Sequence, residues 1–166
     1  DSLAPKSFVL TKELFSNDFK EISNAEFLSQ AFNLVATDSG NNRPVTVSSA
    51  GNPSDKSFSW VAKDFDGSQA PESQDSNNFF SVATFKPGRE RRYKRQKSNF
   101  VALWVVALDD VTESIAEGKT KAQIPFSRIT LEPSYVLETS RGNYQVGYFL
   151  KAPIEKVSQA DALSKA

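Results

Sequence analysis

The spacing of hydrophobic positions changes period several times along this chain. After Ser23, Phe27, Ala31, Leu34 and Val35 fall at i, i+4, i+7 and i+8, the spacing of one helix face. Ser23 with Glu26 three residues on is a capping box, and Gly40 followed by two asparagines marks the exit. Residues 45–49 and 57–63 read as strands, the second with Phe58, Trp60 and Ala62 alternating with smaller or polar residues. Residues 79–85 (FFSVATF) favour β structure. Residues 99–108 (NFVALWVVAL) are continuously apolar, the mark of a strand buried on both faces at the centre of a sheet, and the run stops at Asp109-Asp110. Residues 135–139 and 144–150 flank Ser140-Arg141-Gly142-Asn143, a hairpin signal. Pro153 opens a last helix carrying Ile154, Val157 and Leu163. Residues 7–10 suggest a short strand, and the polar stretches around 38–57, 66–78 and 112–129 read as loops. Strands outnumber helices and the two are interspersed, so the expected class is α+β with a mostly antiparallel central sheet flanked by helices.

The 166 residues suit a single domain able to bury its own core. Twenty Lys and Arg balance twenty Asp and Glu, which excludes a uniformly basic surface. The charge is unevenly placed. Residues 86–97 (KPGRERRYKRQK) hold seven basic residues against Glu90, leaving the remainder of the chain net acidic. There is no His, Cys or Met. That removes disulfides, thiolate catalysis, zinc–thiolate sites, imidazole ligands and any histidine general base. A metal here must be held by hard oxygen donors, which favours Mg²⁺ or Mn²⁺. The longest apolar run is far short of the ~20 residues of a spanning helix. The sequence begins at Asp1, with no charged-then-apolar start of the signal-peptide kind, so a cytoplasmic protein without membrane attachment is expected.

Three segments carry candidate chemistry. Asp109-Asp110, at the end of the apolar strand, would bind a divalent cation that borrows phosphate oxygens, or would simply begin a turn. Adjacent strand residues point to opposite faces, so both carboxylates reach one ion only where the backbone bends. In the basic run, Arg89, Arg91, Arg92, Lys94, Arg95 and Lys97 would contact phosphates, with Tyr93 available for base stacking; the alternative is a solvated flexible loop. At the hairpin tip, Gly142 and Asn143 tolerate positive φ, and Ser140, Arg141 and Asn143 would hold phosphate or ribose oxygens. Gln145 follows, with Gly147 and Phe149 on its side of the strand.

In order, residues 78–85, the basic run, ALWVVALDDV, Gly-Lys-Thr-Lys at 118–121 and EPSYVLETSRGNYQVGYFL resemble the RepB-type replication primases of plasmids and phages, within the archaeo-eukaryotic primase superfamily. The resemblance covers residues 78–163, about half the chain, and is most specific over 133–150. It implies an RRM-like primase–polymerase core. Asp109 and Asp110 would be the catalytic, metal-binding acidic pair, and Lys121 the lysine that follows it. Ser140 and Gln145 would fall in the motif that binds the incoming nucleotide, where many relatives have His; an amide donates a hydrogen bond there without carrying charge. The implied reaction is nucleotidyl transfer from nucleoside triphosphates on a single-stranded DNA template, dependent on Mg²⁺ or Mn²⁺, with a replicative helicase as partner. Arg141 stands where the family usually has Pro. The family's third acidic motif belongs beyond the last helix, so 1–166 is expected to be one primase-like domain truncated before it, and Asp161 lacks the glycine context of that motif.

Two further readings stand beside this one. A catalytically inactive module would keep the basic run and bind origin or single-stranded DNA. An RNA binder would expose Phe79, Phe80 and Phe85 on its sheet, but the ribonucleoprotein signature is absent. A glycosidase is weaker again, since its two acids must be at least ~5 Å apart across a cleft.

Overall fold

In the computed structural model, residues 8–17, 20–32, 42–49, 61–67, 70, 77–115 and 123–163 are described. Along the chain the elements are α1 (Lys12–Asn17), α2 (Asn24–Ala31), β1 (Arg43–Ser49), β2 (Val61–Asp64), β3 (Asn77–Phe85), β4 (Phe100–Thr112), β5 (Ile124–Pro125), β6 (Tyr135–Ser140), β7 (Asn143–Ile154) and α3 (Val157–Leu163). Single 3₁₀ turns occur at Lys97–Asn99 and Phe126–Arg128. The seven strands form one sheet in the order β2-β1-β3-β4-β7-β6, with β5 paired to β4. All the pairings with a defined register are antiparallel except β4 with β5. This is the α+β class with a mostly antiparallel sheet. Among the described residues no helix is long and apolar enough to cross a membrane.

The chain divides into two compact units, one drawn from the described residues of Asp1–Glu21 and Ala107–Phe149, the other from those of Ile22–Val106 and Leu150–Ala166. In the second unit the apolar run becomes the first part of β4. Ala102, Leu103, Trp104 and Val105 are consecutive and all buried, as expected of a strand covered on both faces. Trp104 donates its indole N–H to the buried hydroxyl of Thr84 (3.1 Å), which satisfies the ring's one polar group. Pro44 has no N–H for the ladder, and the β1–β3 register slips there. Ser81 repairs the break: its hydroxyl accepts from the Val45 N–H (2.9 Å) and donates to the Ala83 carbonyl (2.7 Å). Val45, Ala83, Phe85, Leu103 and Ala160 form the core. The Ser23 cap is present, its hydroxyl accepting from the Glu26 N–H at 3.2 Å. Leu34, Val35 and Gly40 lie outside the described residues, as do residues 57–60 of the second strand. Of the three phenylalanines offered to RNA, Phe85 is core, Phe80 packs edge-on against Phe27, and Phe79 is exposed.

Two expectations change in this unit. Pro153 and Ile154 belong to β7, and the helix begins at Val157. Ile154 reaches the core from an extended chain, beside Leu150, and a proline near a strand end costs no essential ladder bond. Tyr93, expected to be available for base stacking, is partly engaged within the fold. Its half-buried ring packs on the core, with the Arg43 guanidinium 5.8 Å from its centroid.

In the first unit the core is Leu10, Val111, Phe126, Ile129, Tyr144 and Val146. Residues 8–10, the described part of the strand expected over 7–10, are not a strand. Leu10 is buried and gives its N–H to the Ile129 carbonyl (3.2 Å), one bond where a ladder needs several. The short α1, which the sequence pattern does not announce, carries Phe15 into contact with Phe126 and Tyr144, at centroid distances of 5.6 and 5.2 Å. Residues 124–128, read as loop, contain β5 and a 3₁₀ turn.

Gly147 is fixed by packing. It pairs with Tyr135 across β6 and β7, and a Cβ there would fall inside the Tyr135 ring. Gly147→Ala therefore lowers stability by about 1–3 kcal/mol. The loss shrinks when Tyr135→Ala is introduced as well. Urea denaturation of the two single variants and the double variant checks this, and an unchanged midpoint for Gly147→Ala would refute it.

Candidate nucleotide and metal site

The site begins with a slip in β4. Leu108 and Val111 both pack on the first unit's core although they are three residues apart. Regular alternation would send them to opposite faces, so one residue has been inserted between them. The backbone shows where: Asp110 has φ +56, in the left-handed region that Asp tolerates better than most side chains. The strand continues past the acidic pair to Thr112, where the sequence pattern had it stop. Asp109 and Asp110 occupy the slipped interval, and neither side chain joins the core. Asp109 is exposed, Asp110 half-buried. The Asp110 N–H donates to Asp109 Oδ1 (3.1 Å), which ties the two residues together.

The hairpin of β6 and β7 abuts this slip. Asn143 Nδ2 donates to Asp110 Oδ1 and to Thr139 Oγ1, both at 3.3 Å. The Thr112 hydroxyl lies 3.2 Å from both the Gly142 and the Ser114 carbonyl oxygens, so its one proton serves either. The turn itself is reinforced from within. Gly142, at φ +74, supplies the left-handed residue, and its N–H donates to Glu138 Oε1 (3.0 Å). Thr139 donates to the Asn143 carbonyl (3.1 Å). Asn143 Oδ1 is buried with no hydrogen-bond donor among the described residues. Reversing the amide would set this oxygen against the Asp110 carboxylate, so the assignment stands.

Gln145 is oriented by a residue outside the expected site. The Tyr135 hydroxyl donates to Gln145 Oε1 (2.8 Å). The Tyr135 ring lies over Gly147 and against Phe149, with centroids 5.7 Å apart. Burial, and then the negative charge of Asp109, push the Tyr135 phenol above its ordinary pKa. Asp109, Tyr135 and Gln145 thus belong to one electrostatic neighbourhood. With Oε1 occupied, the Gln145 amide has its N–H groups left to offer a ligand oxygen.

The expected residues are therefore brought together unequally. Asp110 touches Asn143, Tyr135 holds Gln145, and Asp109 acts on Tyr135 only through its charge. Ser140 and Arg141 are exposed at the hairpin tip, and no hydrogen bond joins them to the acidic pair. Lys121 lies outside the described residues. The sequence pattern does not single out Tyr135 and Thr112, and it assigns no role to Glu138 and Thr139 within the hairpin-tip segment. Tyr135 and Gly147, at matching positions on either side of a hairpin turn, are the signal that would have found the first of them.

Two carboxylates suit Mg²⁺ or Mn²⁺, which keep several waters and share ligands with phosphate. Among the described residues no group of three or more His, Cys, Asp or Glu assembles. These residues fit an ion that shares its coordination with a phosphate-bearing substrate, and they do not make an all-protein cage.

In the other unit the basic run is a structured turn. Pro87 bridges Tyr93, Gly88 donates to the Arg92 carbonyl (2.9 Å), and Arg91 donates back to the Gly88 carbonyl (3.0 Å) with its own φ at +55. Arg89, Arg91, Arg92, Lys94, Arg95 and Lys97 are all exposed. Arg92 lies a loose 3.8 Å from Glu90, and Lys97 pairs with Asp161 at 2.8 Å. The other four have no acidic partner among the described residues.

Comparison with known proteins finds no family model, no curated protein and no solved structure that matches this chain.

Two outcomes follow from the site geometry. Asp110→Gly stays within about 1 kcal/mol of the parent because glycine relieves the left-handed backbone, whereas Asp110→Val loses about 2 kcal/mol. Denaturation midpoints in the reverse order would refute the slip. The raised Tyr135 phenol also makes stability depend on pH. Its contribution is complete below the ordinary phenol pKa and declines as pH rises above about 10, since the unfolded chain ionises first. Tyr135→Phe flattens this alkaline decline, as read by urea midpoints between pH 8 and 11. An identical slope in the variant would exclude the effect.

Proposed function

We propose that this chain is the primase–polymerase-type domain of a plasmid or phage replication protein, working in the cytoplasm. It transfers nucleotides on single-stranded DNA with Mg²⁺ or Mn²⁺ and nucleoside triphosphates. The observation that supports this reading best is the acidic pair at the strand slip, tied through Asn143 to the Glu-Thr-Ser-Arg-Gly-Asn-Tyr-Gln hairpin. The resemblance assigns these same two segments to metal and nucleotide binding, and the primase-type core is the finer fold this reading implies.

Each residue has a role. Asp109 and Asp110 hold the cation, which when bound supplies activation of a 3′-hydroxyl and charge neutralisation of the leaving pyrophosphate. Asn143 donates to the Asp110 carboxylate and holds it in place. Tyr135 fixes the Gln145 amide so that its N–H groups meet a triphosphate or ribose oxygen. Ser140 and Arg141 at the exposed tip add a hydroxyl and a charge for phosphate. Lys121 is the further cation this reading assigns to the nucleotide. The basic turn supplies sequence-independent phosphate contacts to the template. A replicative helicase, in the same chain or a separate one, is the partner this role requires.

A second reading, a catalytically silent module that binds origin or single-stranded DNA, has one observation in its favour: no third acidic residue joins the pair among the described residues. Primer synthesis separates the two. The parent replication protein, given a single-stranded template, nucleotides and Mn²⁺, is expected to make or extend primers. Asp109→Ala and Asp110→Ala each lower the rate about a hundredfold or more without weakening binding of a labelled oligonucleotide. Absence of any metal-dependent product, or full activity of Asp109→Ala, would leave the binding module as the function.

A further inference from the structure

The second unit contains a cleft of about 240 Å³ between α3 and the β3–β4 face, and none of the acidic-pair site's residues lines it. Its floor is apolar. Phe85 and Phe100 meet edge to face, with centroids 6.5 Å apart, and Leu103 lies beside them. Val157 of α3 forms a wall and remains 37 % exposed, high for an aliphatic side chain with a core alongside it. The mouth is charged. Arg95 stands there without an acidic partner among the described residues, and Lys97 is held by Asp161. Both members of that pair are substantially exposed, so the bond is weak enough to exchange for a phosphate.

An apolar floor under a cationic rim selects a flat or apolar group attached to an anion. The volume lies below the ~300 Å³ at which drug-sized ligand sites begin, so the cleft takes one planar group and excludes a whole nucleoside triphosphate. The cations do not stop at the mouth. Arg89, Arg91, Arg92 and Lys94 extend from Arg95 along the preceding turn, all exposed. A row of cations complements a row of phosphates, which a single lipid headgroup or free nucleotide does not present. We infer that this cleft seats one unstacked base of a single-stranded nucleic acid, whose neighbouring phosphates lie on Arg95, Lys97 and the basic turn. This rests on the nucleic-acid part of the proposed function and is independent of its catalytic part.

The test compares a labelled ten-nucleotide oligothymidylate with a backbone of the same length whose every position is abasic, by fluorescence anisotropy at several salt concentrations. The two probes carry the same charge and differ only in bases. The protein is expected to bind the oligothymidylate about fivefold or more tightly, the scale of burying one base against aromatic side chains. Val157→Trp fills the cleft from its exposed wall without altering charge. It should abolish that preference and leave the salt dependence unchanged. Arg95→Ala should do the reverse, keeping the preference and reducing the salt slope by about 0.7. Equal binding of the two probes by the unaltered protein, or a preference untouched by Val157→Trp, would overturn the cleft while leaving primer synthesis to be judged separately. Binding to neither probe would overturn both readings. So would binding to vesicles of anionic phospholipid in preference to the oligonucleotide.

Discussion

One inserted residue in β4 governs the candidate site. A strand that alternates without interruption can bury Leu108 or Val111 in a given core, but not both. The core of the first unit takes both, and the backbone accommodates this by turning left-handed at Asp110. Had the strand kept its register, one of the two aspartates would have faced the apolar core. There a carboxylate without a partner costs several kcal/mol or loses its charge. Packing of two aliphatic side chains therefore decides the placement of two acidic ones. The hydrogen bond from Asn143 then holds Asp110 in a conformation that its own backbone energetics disfavour by about 1–2 kcal/mol.

Around the slip, local polar bonds do the positioning and apolar contacts provide the base they stand on. The hairpin turn is tied by Glu138 and Thr139, and it reaches β4 through Asn143 and Thr112. On the sheet face bearing Gln145, the absent side chain at Gly147 gives the Tyr135 ring room to lie flat, which delivers its hydroxyl to the glutamine. A single glycine thus sets the orientation of an amide one alternation away on the same strand. Substitutions of such supporting residues would act on the site without touching a ligand.

Much of the fold was legible because its signals are local. The Val-rich run, the Gly-Asn hairpin and the Ser23 cap each state their structure within a few residues, and each is present. The errors fall where distant packing overrides local pattern. Pro153 has the form of a helix start, but Ile154 is held in an extended strand by a core built from Val45, Ala83 and Leu103. Tyr93 sits among arginines like a stacking residue, but Arg43, fifty positions earlier, closes over it. For the site, the residue types were readable and the means of bringing them together was not. Nothing in Asp109-Asp110 itself announces a left-handed residue; that follows from where Leu108 and Val111 must go.

The first unit is assembled from the beginning of the chain and from its later half, with most of the second unit's sequence lying between. Phe15 finds Phe126 and Tyr144 only after more than a hundred further residues have been made. On a ribosome α1, with Leu14 and Phe15 its apolar residues, must wait several seconds for these partners at ordinary elongation rates. The second unit likewise takes its last segment from the residues after Phe149, so each unit is completed only by chain made after part of the other. Interleaving of this kind gives each unit contacts of high sequence separation, which form slowly, and a break in the chain anywhere between Ile22 and Phe149 would separate the segments of both units.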